Sequence, residues 1–121
     1  MYEISVMESF SAAHYLPEYH GKCERLHGHN YKVKVSVQSK QLNKGGMVID
    51  FGVLKDELKK ILDPLDHCFL NELKEFSDRS PSAEWIAFHI YIKLKEALKV
   101  LKISAVEIFE TDKNIVTYYP D

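Results

Sequence analysis

The stretch Cys23–Tyr31, which reads CERLHGHNY, decides the fold because it carries two histidines into the start of an apolar alternation. The alternation continues through Tyr31, Val33, Val35 and Val37. A period of two predicts a β-strand, here from about residue 28 to 38. Because residues i and i+2 of a strand share a face, His27 and His29 should project side by side. Gly28 between them leaves the backbone free to approach a ligand.

A third histidine, His14, closes another predicted strand at residues 2–14. If the two strands pair as a hairpin, His14 can lie across from His27 and His29. Three neutral imidazoles suit zinc, and three protein ligands leave a fourth position for water or substrate. We therefore predict a zinc site with an open, catalytic position. The alternative is three unrelated histidines, one of them a hydrogen-bonded core group.

Bulk composition excludes several classes of protein. The 121 residues, 45% of them hydrophobic, predict one folded soluble domain over 1–121. A net charge of −2 without a basic run argues against nucleic acid as a partner. No apolar run is long enough to span a membrane, and no signal peptide is evident at the N-terminus. Two cysteines make no disulfide framework, so we expect a reducing, cytoplasmic location.

The remaining pattern predicts an α+β domain. Beyond the first two strands, the predicted elements are a short extended piece at 47–49, a helix capped by Asp50 and stopped at Asp63-Pro64, a helix capped by Ser80 with Pro81 as its first residue, and strands at 104–110 and 115–119. The order β-β-α-α-β-β implies a four-stranded antiparallel sheet with two helices on one face. Such a sheet could hide its edges and its open face by assembling into a closed β-barrel with copies of itself.

Five further residues could do chemistry. Cys23 beside zinc could be an activated thiolate or a fourth ligand that closes a structural site, and spacing leaves both readings open. Asp66 and His67 form an acid–base pair or a chance surface neighbourhood. Glu110 ends an apolar strand face, where it could pair with ligand N–H groups or emerge into solvent. Glu84 stands in the first turn of a helix, where the helix dipole alone favours it.

Several motifs, taken together, resemble the 6-pyruvoyl-tetrahydropterin synthase family, and most of all its 6-carboxy-tetrahydropterin synthase branch from queuosine biosynthesis. The motifs that carry the resemblance span nearly the whole chain: Phe10-Ser11-Ala12-Ala13-His14, Cys23-x-x-x-His27-Gly28-His29-Asn30, Val48-Ile49-Asp50-Phe51, Leu65-Asp66-His67, Pro81-Ser82-Ala83-Glu84 and Phe109-Glu110-Thr111.

The resemblance implies a fold and an assembly. The family has the tunnelling fold, whose order β-β-α-α-β-β agrees with the order derived above. Its members form trimers that close a β-barrel, and two trimers stack into a hexamer. The active site lies between subunits, so this chain is expected to be a homo-oligomer.

The resemblance also implies roles for the candidate residues. By motif, His14, His27 and His29 match the zinc ligands, and Cys23 matches a general base that is not a ligand. Asp66 and His67 match a catalytic pair, and Glu110 matches the carboxylate that anchors the pterin. Glu84 matches a substrate contact. The motifs do not identify the triphosphate contacts, for which Lys22, Arg25 and Lys113 are candidates apart from the resemblance.

The implied reaction converts 7,8-dihydroneopterin triphosphate to 6-carboxy-5,6,7,8-tetrahydropterin, acetaldehyde and triphosphate. Zinc would act as Lewis acid and template. One alternative is the pyruvoyl synthase, which eliminates triphosphate without cleaving the carbon chain. Another is a non-catalytic, zinc-stabilised binding module, against which Asp66-His67 stands.

Overall fold

A computed structural model describes residues 1–17 and 25–121, and within them the chain forms one five-stranded sheet and two α-helices. The elements are β1 (Tyr2–His14), β2 (His27–Ser39), α1 (Phe51–Leu62), β3 (Cys68–Phe69), α2 (Ala83–Ala97), β4 (Lys102–Phe109) and β5 (Ile115–Tyr118). Short 3-10 turns at Asp63–Leu65, Leu70–Glu72 and Lys74–Phe76 connect α1 to α2 around β3. The strand order across the sheet is β3-β1-β2-β4-β5.

The β1–β2 hairpin is the centre of the sheet and confirms the predicted pairing. Its antiparallel register runs without interruption from Tyr2 opposite Ser39 to His14 opposite His27. The alternating apolar residues of β2 are fully buried against the helices, as Tyr31, Val33, Val35 and Val37 show. Because alternate residues point to opposite faces, this register fixes which side of the sheet each histidine reaches.

The predicted four-stranded antiparallel sheet was wrong in its count. The fifth strand, β3, is only two residues long and runs parallel to β1, pairing Cys68 with Ala12. The sheet is therefore mixed. Two residues show no period, so the sequence carried no signal for this strand. The expected extended piece at 47–49 is a bend that joins no strand.

The helices begin at side-chain caps. Asp50 accepts a hydrogen bond from Gly52 N–H at 2.7 Å, and α1 ends before Pro64, as predicted. The cap of α2 is Ser82 instead of the expected Ser80, since Ser82 Oγ accepts from Trp85 N–H at 3.2 Å. Pro81 therefore lies outside the helix, and its carbonyl is available to another partner.

The two faces of the sheet differ in character. The core lies between the sheet and the helices, where α1 and α2 contribute Leu54, Leu58, Leu62, Ile86, Ile90 and Leu94. The opposite face is polar: Ser5 Oγ and Ser36 Oγ lie 2.8 Å apart, and Lys34 Nζ lies 3.7 Å from a Glu107 carboxylate oxygen. No helix in the described ranges has the length and apolar character needed to span a membrane.

Candidate metal centre and active site

Three histidines converge where the β1–β2 hairpin closes. His14 lies directly opposite His27, and His29 is two residues further along β2, opposite Ala12. The pleat therefore directs all three rings to the same face of the sheet. One ring nitrogen from each histidine lies within 4.8 Å of the other two. His14 is buried and the other two rings are partly buried.

Backbone carbonyls set the tautomers of two of these rings. His14 Nδ1–H donates to the Pro81 carbonyl at 2.7 Å, and His27 Nδ1–H donates to the Arg25 carbonyl at 2.7 Å. Each carbonyl can only accept, so each neutral ring carries its proton on Nδ1 and a lone pair on Nε2. A carbonyl on the far nitrogen is the usual support of a metal-binding histidine.

The two Nε2 atoms of His14 and His27 lie 2.9 Å apart. Burial is the main cause that holds the pKa of His14 below its usual value, so this ring is neutral at pH 7. Two lone pairs at this distance repel unless a cation lies between them. His29 Nε2 is buried and has no hydrogen-bond partner, although buried polar atoms are normally satisfied. The donor set therefore fits a metal ion.

Glu110 faces the three rings from the first position after β4. Its Oε1 lies 3.5 Å from His29 Nε2, and its Oε2 lies 3.9 Å from His14 Nε2. The Tyr31 hydroxyl is buried at 3.2 Å from His14 Nδ1, and burial together with the Glu110 charge raises the pKa of Tyr31. Burial also lowers the pKa of His29, which keeps that ring neutral beside the carboxylate.

Asp66 and His67 form a turn that is tied to β1. The Ser11 backbone N–H donates to Asp66 Oδ1 at 2.9 Å, and His67 N–H donates to the Ser11 carbonyl at 2.6 Å. His67 Nδ1 lies 3.1 Å from Asp66 Oδ1, which leaves Nε2 free on a ring that is 83% exposed. The Ser11 N–H is the main cause that lowers the pKa of Asp66, and His67 adds to it. A carboxylate held ionised in this way can fix the imidazole tautomer.

His67 has a φ of 56°, the one positive φ outside glycine in the described chain. The left-handed region costs an L-residue free energy, and such residues cluster at functional sites. Ser11 holds the conformation through the two backbone hydrogen bonds just described.

A known protein family matches the chain over nearly its whole length. The sequence model of "6-pyruvoyl tetrahydropterin synthase" matches residues 3–121. The chain belongs to the 6-pyruvoyl tetrahydropterin synthase family. It is 42% identical to a 6-carboxy-5,6,7,8-tetrahydropterin synthase of Synechocystis over 92% of this chain and 88% of that protein. It is 35% identical to human 6-pyruvoyl tetrahydrobiopterin synthase over 96% of this chain and 90% of that protein.

Solved structures agree with the family assignment. The structure of the Caenorhabditis elegans 6-pyruvoyl tetrahydropterin synthase matches the structure of this chain with a TM-score of 0.88 and 33% identity. The match covers 99% of this chain and 96% of the Caenorhabditis elegans chain. The predicted α+β tunnelling fold is therefore confirmed, apart from the extra strand β3.

The remaining predicted residues of this chain line two different cavities. A cavity of about 530 Å³ is lined by His29, Asn30, His67 and Cys68 among others. A second, of about 430 Å³, is lined by Glu84, Glu110 and Lys113 among others. The structure thus brings Glu84 and Glu110 together, while His67 opens into the other cavity.

Cys23 and Lys22 lie outside the described residues. Cys68 is half-buried, and its Sγ lies 3.3 Å from the Pro64 and Asp66 carbonyls.

Sequence reasoning missed the supporting residues of the site. Ser11, Tyr31 and the carbonyls of Arg25 and Pro81 orient the candidate groups, but each does so through backbone or ring contacts that no residue pattern displays. The adjacency of Ser11 to the Ala-His motif was the one available signal.

Proposed function

We propose that this chain is a zinc-dependent 6-carboxy-5,6,7,8-tetrahydropterin synthase that acts on 7,8-dihydroneopterin triphosphate in queuosine biosynthesis in the cytoplasm. The observation that carries the proposal is the convergence of three imidazole nitrogens, two of them with their Nδ1 protons fixed on carbonyls. Three neutral nitrogens with room for a further ligand suit catalytic zinc. Bound zinc would supply Lewis acidity toward the side-chain hydroxyls of the substrate.

The branch is favoured by the names of the relatives. Proteins named 6-carboxy-5,6,7,8-tetrahydropterin synthase reach 42% and 36% identity in Synechocystis and Haemophilus influenzae. Proteins named 6-pyruvoyl tetrahydrobiopterin synthase reach 37% in Poecilia reticulata and 35% in humans.

In the proposed reaction Asp66 and His67 move a proton. Asp66 holds the Nδ1 proton of His67, so Nε2 is the atom that accepts a proton from the substrate and returns it. His67 and His29 line the same cavity, and the His67 ring is 83% exposed. Asp66 contacts the ring at Nδ1 and therefore does not block Nε2. We assign Cys23, by motif, the role of a second base acting as a thiolate.

Glu110 and Glu84 would bind the pterin ring. A carboxylate accepts two parallel N–H groups, such as those of an aminopyrimidinone, through charge-assisted hydrogen bonds. Both carboxylates line one cavity of about 430 Å³, and Lys113 lines it with them. Lys113 is therefore the described residue that we assign to the triphosphate.

We further propose that the active protein is a hexamer, a dimer of trimers that close β-barrels. Two features support it. The outer edge of β1 is paired by β3 only at Ala12 and Ala13, and β5 forms the other edge, so both edges offer backbone groups for pairing. Glu110 and His67 open into different cavities of one chain, so a ring held by Glu110 would meet a His67 from a neighbouring copy. Light scattering that shows a fully active, stable monomer would contradict this assembly.

The second candidate function is 6-pyruvoyl-tetrahydropterin synthesis, favoured by the structural match to the Caenorhabditis elegans enzyme with a TM-score of 0.88. One experiment separates the two. The zinc-loaded protein is incubated with dihydroneopterin triphosphate, the pterin product is identified by mass, and aldehyde is trapped with a hydrazine. We expect 6-carboxy-tetrahydropterin and acetaldehyde. A pyruvoyl pterin without aldehyde would assign the second function, and no conversion at all would favour a binding module.

A further inference from the structure

The position of Glu110 beside His14 and His29 indicates a second role in addition to binding the pterin ring. We propose that the Glu110 carboxylate is a fourth ligand of the metal centre when no substrate is present, and that the pterin ring draws it away. The first half concerns metal binding alone. The second half rests on the proposed function, because it requires that Glu110 also binds the ring.

Distances among the donor atoms support the first half. Zinc with bonds of 2.0–2.1 Å in a tetrahedron places neighbouring ligand atoms ~3.3 Å apart. Three separations lie near this edge: 2.9 Å between the Nε2 atoms of His14 and His27, 3.5 Å from His29 Nε2 to Glu110 Oε1, and 3.9 Å from His14 Nε2 to Glu110 Oε2, while the three histidine nitrogens all lie within 4.8 Å of one another. Glu110 thus meets two histidines at distances expected of a shared ion.

The charges at the site also indicate that Glu110 is a ligand of the metal ion. His14 offers Glu110 a lone pair, because its proton is on Nδ1 and bonded to Pro81. The separations of 3.5 and 3.9 Å to the rings are too long for strong hydrogen bonds. A carboxylate that faces imidazole lone pairs is unfavourable without a proton or a cation between them. A divalent cation removes that cost, and one carboxylate halves the net charge of a site with three neutral ligands.

Glu110 cannot bind the pterin ring and the metal ion at the same time. A carboxylate that accepts two ring N–H groups has its oxygens directed at the ring and away from the histidines. Ring binding would therefore free a coordination position at the time when the substrate side chain arrives. Coupling between two binding events is reciprocal. If the pterin ring weakens the contact between Glu110 and the metal, then a strong contact between Glu110 and the metal must weaken binding of the pterin ring.

Glu84 provides a matched control within the same cavity. It carries the same charge and lines the cavity with Glu110. Among the described residues, neither an ion pair nor a hydrogen bond connects it to the three histidines. A general effect of negative charge on the cavity would act through both glutamates, whereas a ligand effect would act through Glu110 alone.

The test begins with zinc-loaded protein and titrates it with a chromophoric chelator in the absence of pterin. Glu110→Gln and Glu110→Ala should weaken zinc binding by about 10–100-fold, the range found when a supporting partner of a metal site is lost. Glu84→Gln should change it by less than about threefold. Unchanged affinity in both Glu110 variants overturns the proposal, and so does an equal loss in Glu84→Gln. Melting in excess zinc checks that all variants are folded.

The cobalt-substituted protein tests the displacement. At concentrations where pterin fluorescence shows each protein to be saturated, unsubstituted pterin, 2-amino-4-oxopteridine, should shift the visible absorption of the wild-type Co²⁺ centre but leave that of Glu110→Ala unchanged. A wild-type spectrum that does not respond to bound pterin overturns the displacement, and so does an equal shift in the variant. These readouts do not require turnover. Loss of zinc affinity in Glu110→Gln, together with no conversion of dihydroneopterin triphosphate by the zinc-loaded wild-type protein, would uphold the ligand and reject the proposed function.

Discussion

Replacement of His67 by glycine and by alanine should separate its chemistry from its backbone conformation. His67 has a φ of 56°, and the hydrogen bond from its backbone N–H to the Ser11 carbonyl persists in either variant. The imidazole is 83% exposed, so truncation removes little packing in either case. The two variants lose the same interaction with Asp66 and differ only in what the left-handed backbone costs them.

The magnitude follows from two opposing terms. Alanine in the left-handed region costs about 1–2 kcal/mol. Glycine escapes that cost but loses more conformational freedom on folding, about 0.5–1 kcal/mol relative to alanine. The glycine variant should therefore be more stable than the alanine variant by about 0.5–1 kcal/mol. For a domain of this size that difference corresponds to roughly 2–5 °C in the melting temperature.

The assay is thermal unfolding followed by circular dichroism at one protein and one zinc concentration, because binding and assembly both shift apparent stability. Turnover should fall equally in both variants, by about 10²–10⁴-fold, since both lack the acid–base group. An alanine variant as stable as the glycine variant would refute the reasoning, because it would mean that the turn relaxes out of the left-handed region. Unequal turnover would show that backbone position also affects the chemistry.

Three shorter predictions test other parts of the chain. Ser82→Ala should lower the free energy of unfolding by about 1 kcal/mol because it removes a helix cap, while Ser80→Ala should cost less than half of that; equal losses in denaturant titrations would reject the cap. Cys23→Ala should retain zinc and lose turnover by about 10²–10⁴-fold, whereas His29→Ala should lose zinc; a zinc-free Cys23→Ala protein would make the thiol a ligand. Burial lowers the pKa of His89, so the unfolded chain takes up its proton first and stability should fall as pH drops below about 6.5. Urea titrations at pH 7.5 and 5.5 should show a smaller fall in His89→Gln, and an identical fall would exclude this histidine as a cause.

Periodic elements of the fold were readable from the sequence because their burial is regular. The hairpin, α1 with its Asp50 cap, and the strands after α2 were all confirmed to within about two residues. The failures were local. The two-residue strand β3 forms because β1 offers an edge at Ala12 and Ala13. The α2 cap moved from Ser80 to Ser82, which leaves the Pro81 carbonyl free for His14. Both depend on tertiary contacts that a local pattern does not contain.

The candidate site was also predictable only where a regular pattern determines it. Spacing placed His27 and His29 on one face, because a strand has a fixed period, and the predicted hairpin pairing added His14. Their tautomers depend on the carbonyls of Pro81 and Arg25, and every residue type has a carbonyl. Glu110 was predicted from its place at a strand end, and its roles stay predictions. Its approach to His29 at 3.5 Å follows from the β2–β4 register, in which Lys32 pairs with Phe109 beside it.

Strand β1 couples the two chemical groups of this chain. Ser11 contacts Asp66 and His67 through its backbone, and His14 of the candidate metal centre stands three residues later on the same strand. Three residues of strand span ~10 Å, and a paired strand resists both bending and sliding. The proposed acid–base pair, Asp66 and His67, lies in a loop between 3-10 turns, but its position is set by the sheet. A sheet holds geometry more closely than a loop does, so β1 sets the positions of the proposed pair and of the candidate metal centre that each copy would contribute to a shared site. Asp63 and Pro64, between α1 and the proposed pair, can then vary without moving Asp66 and His67, provided that Ser11 keeps both hydrogen bonds of its backbone.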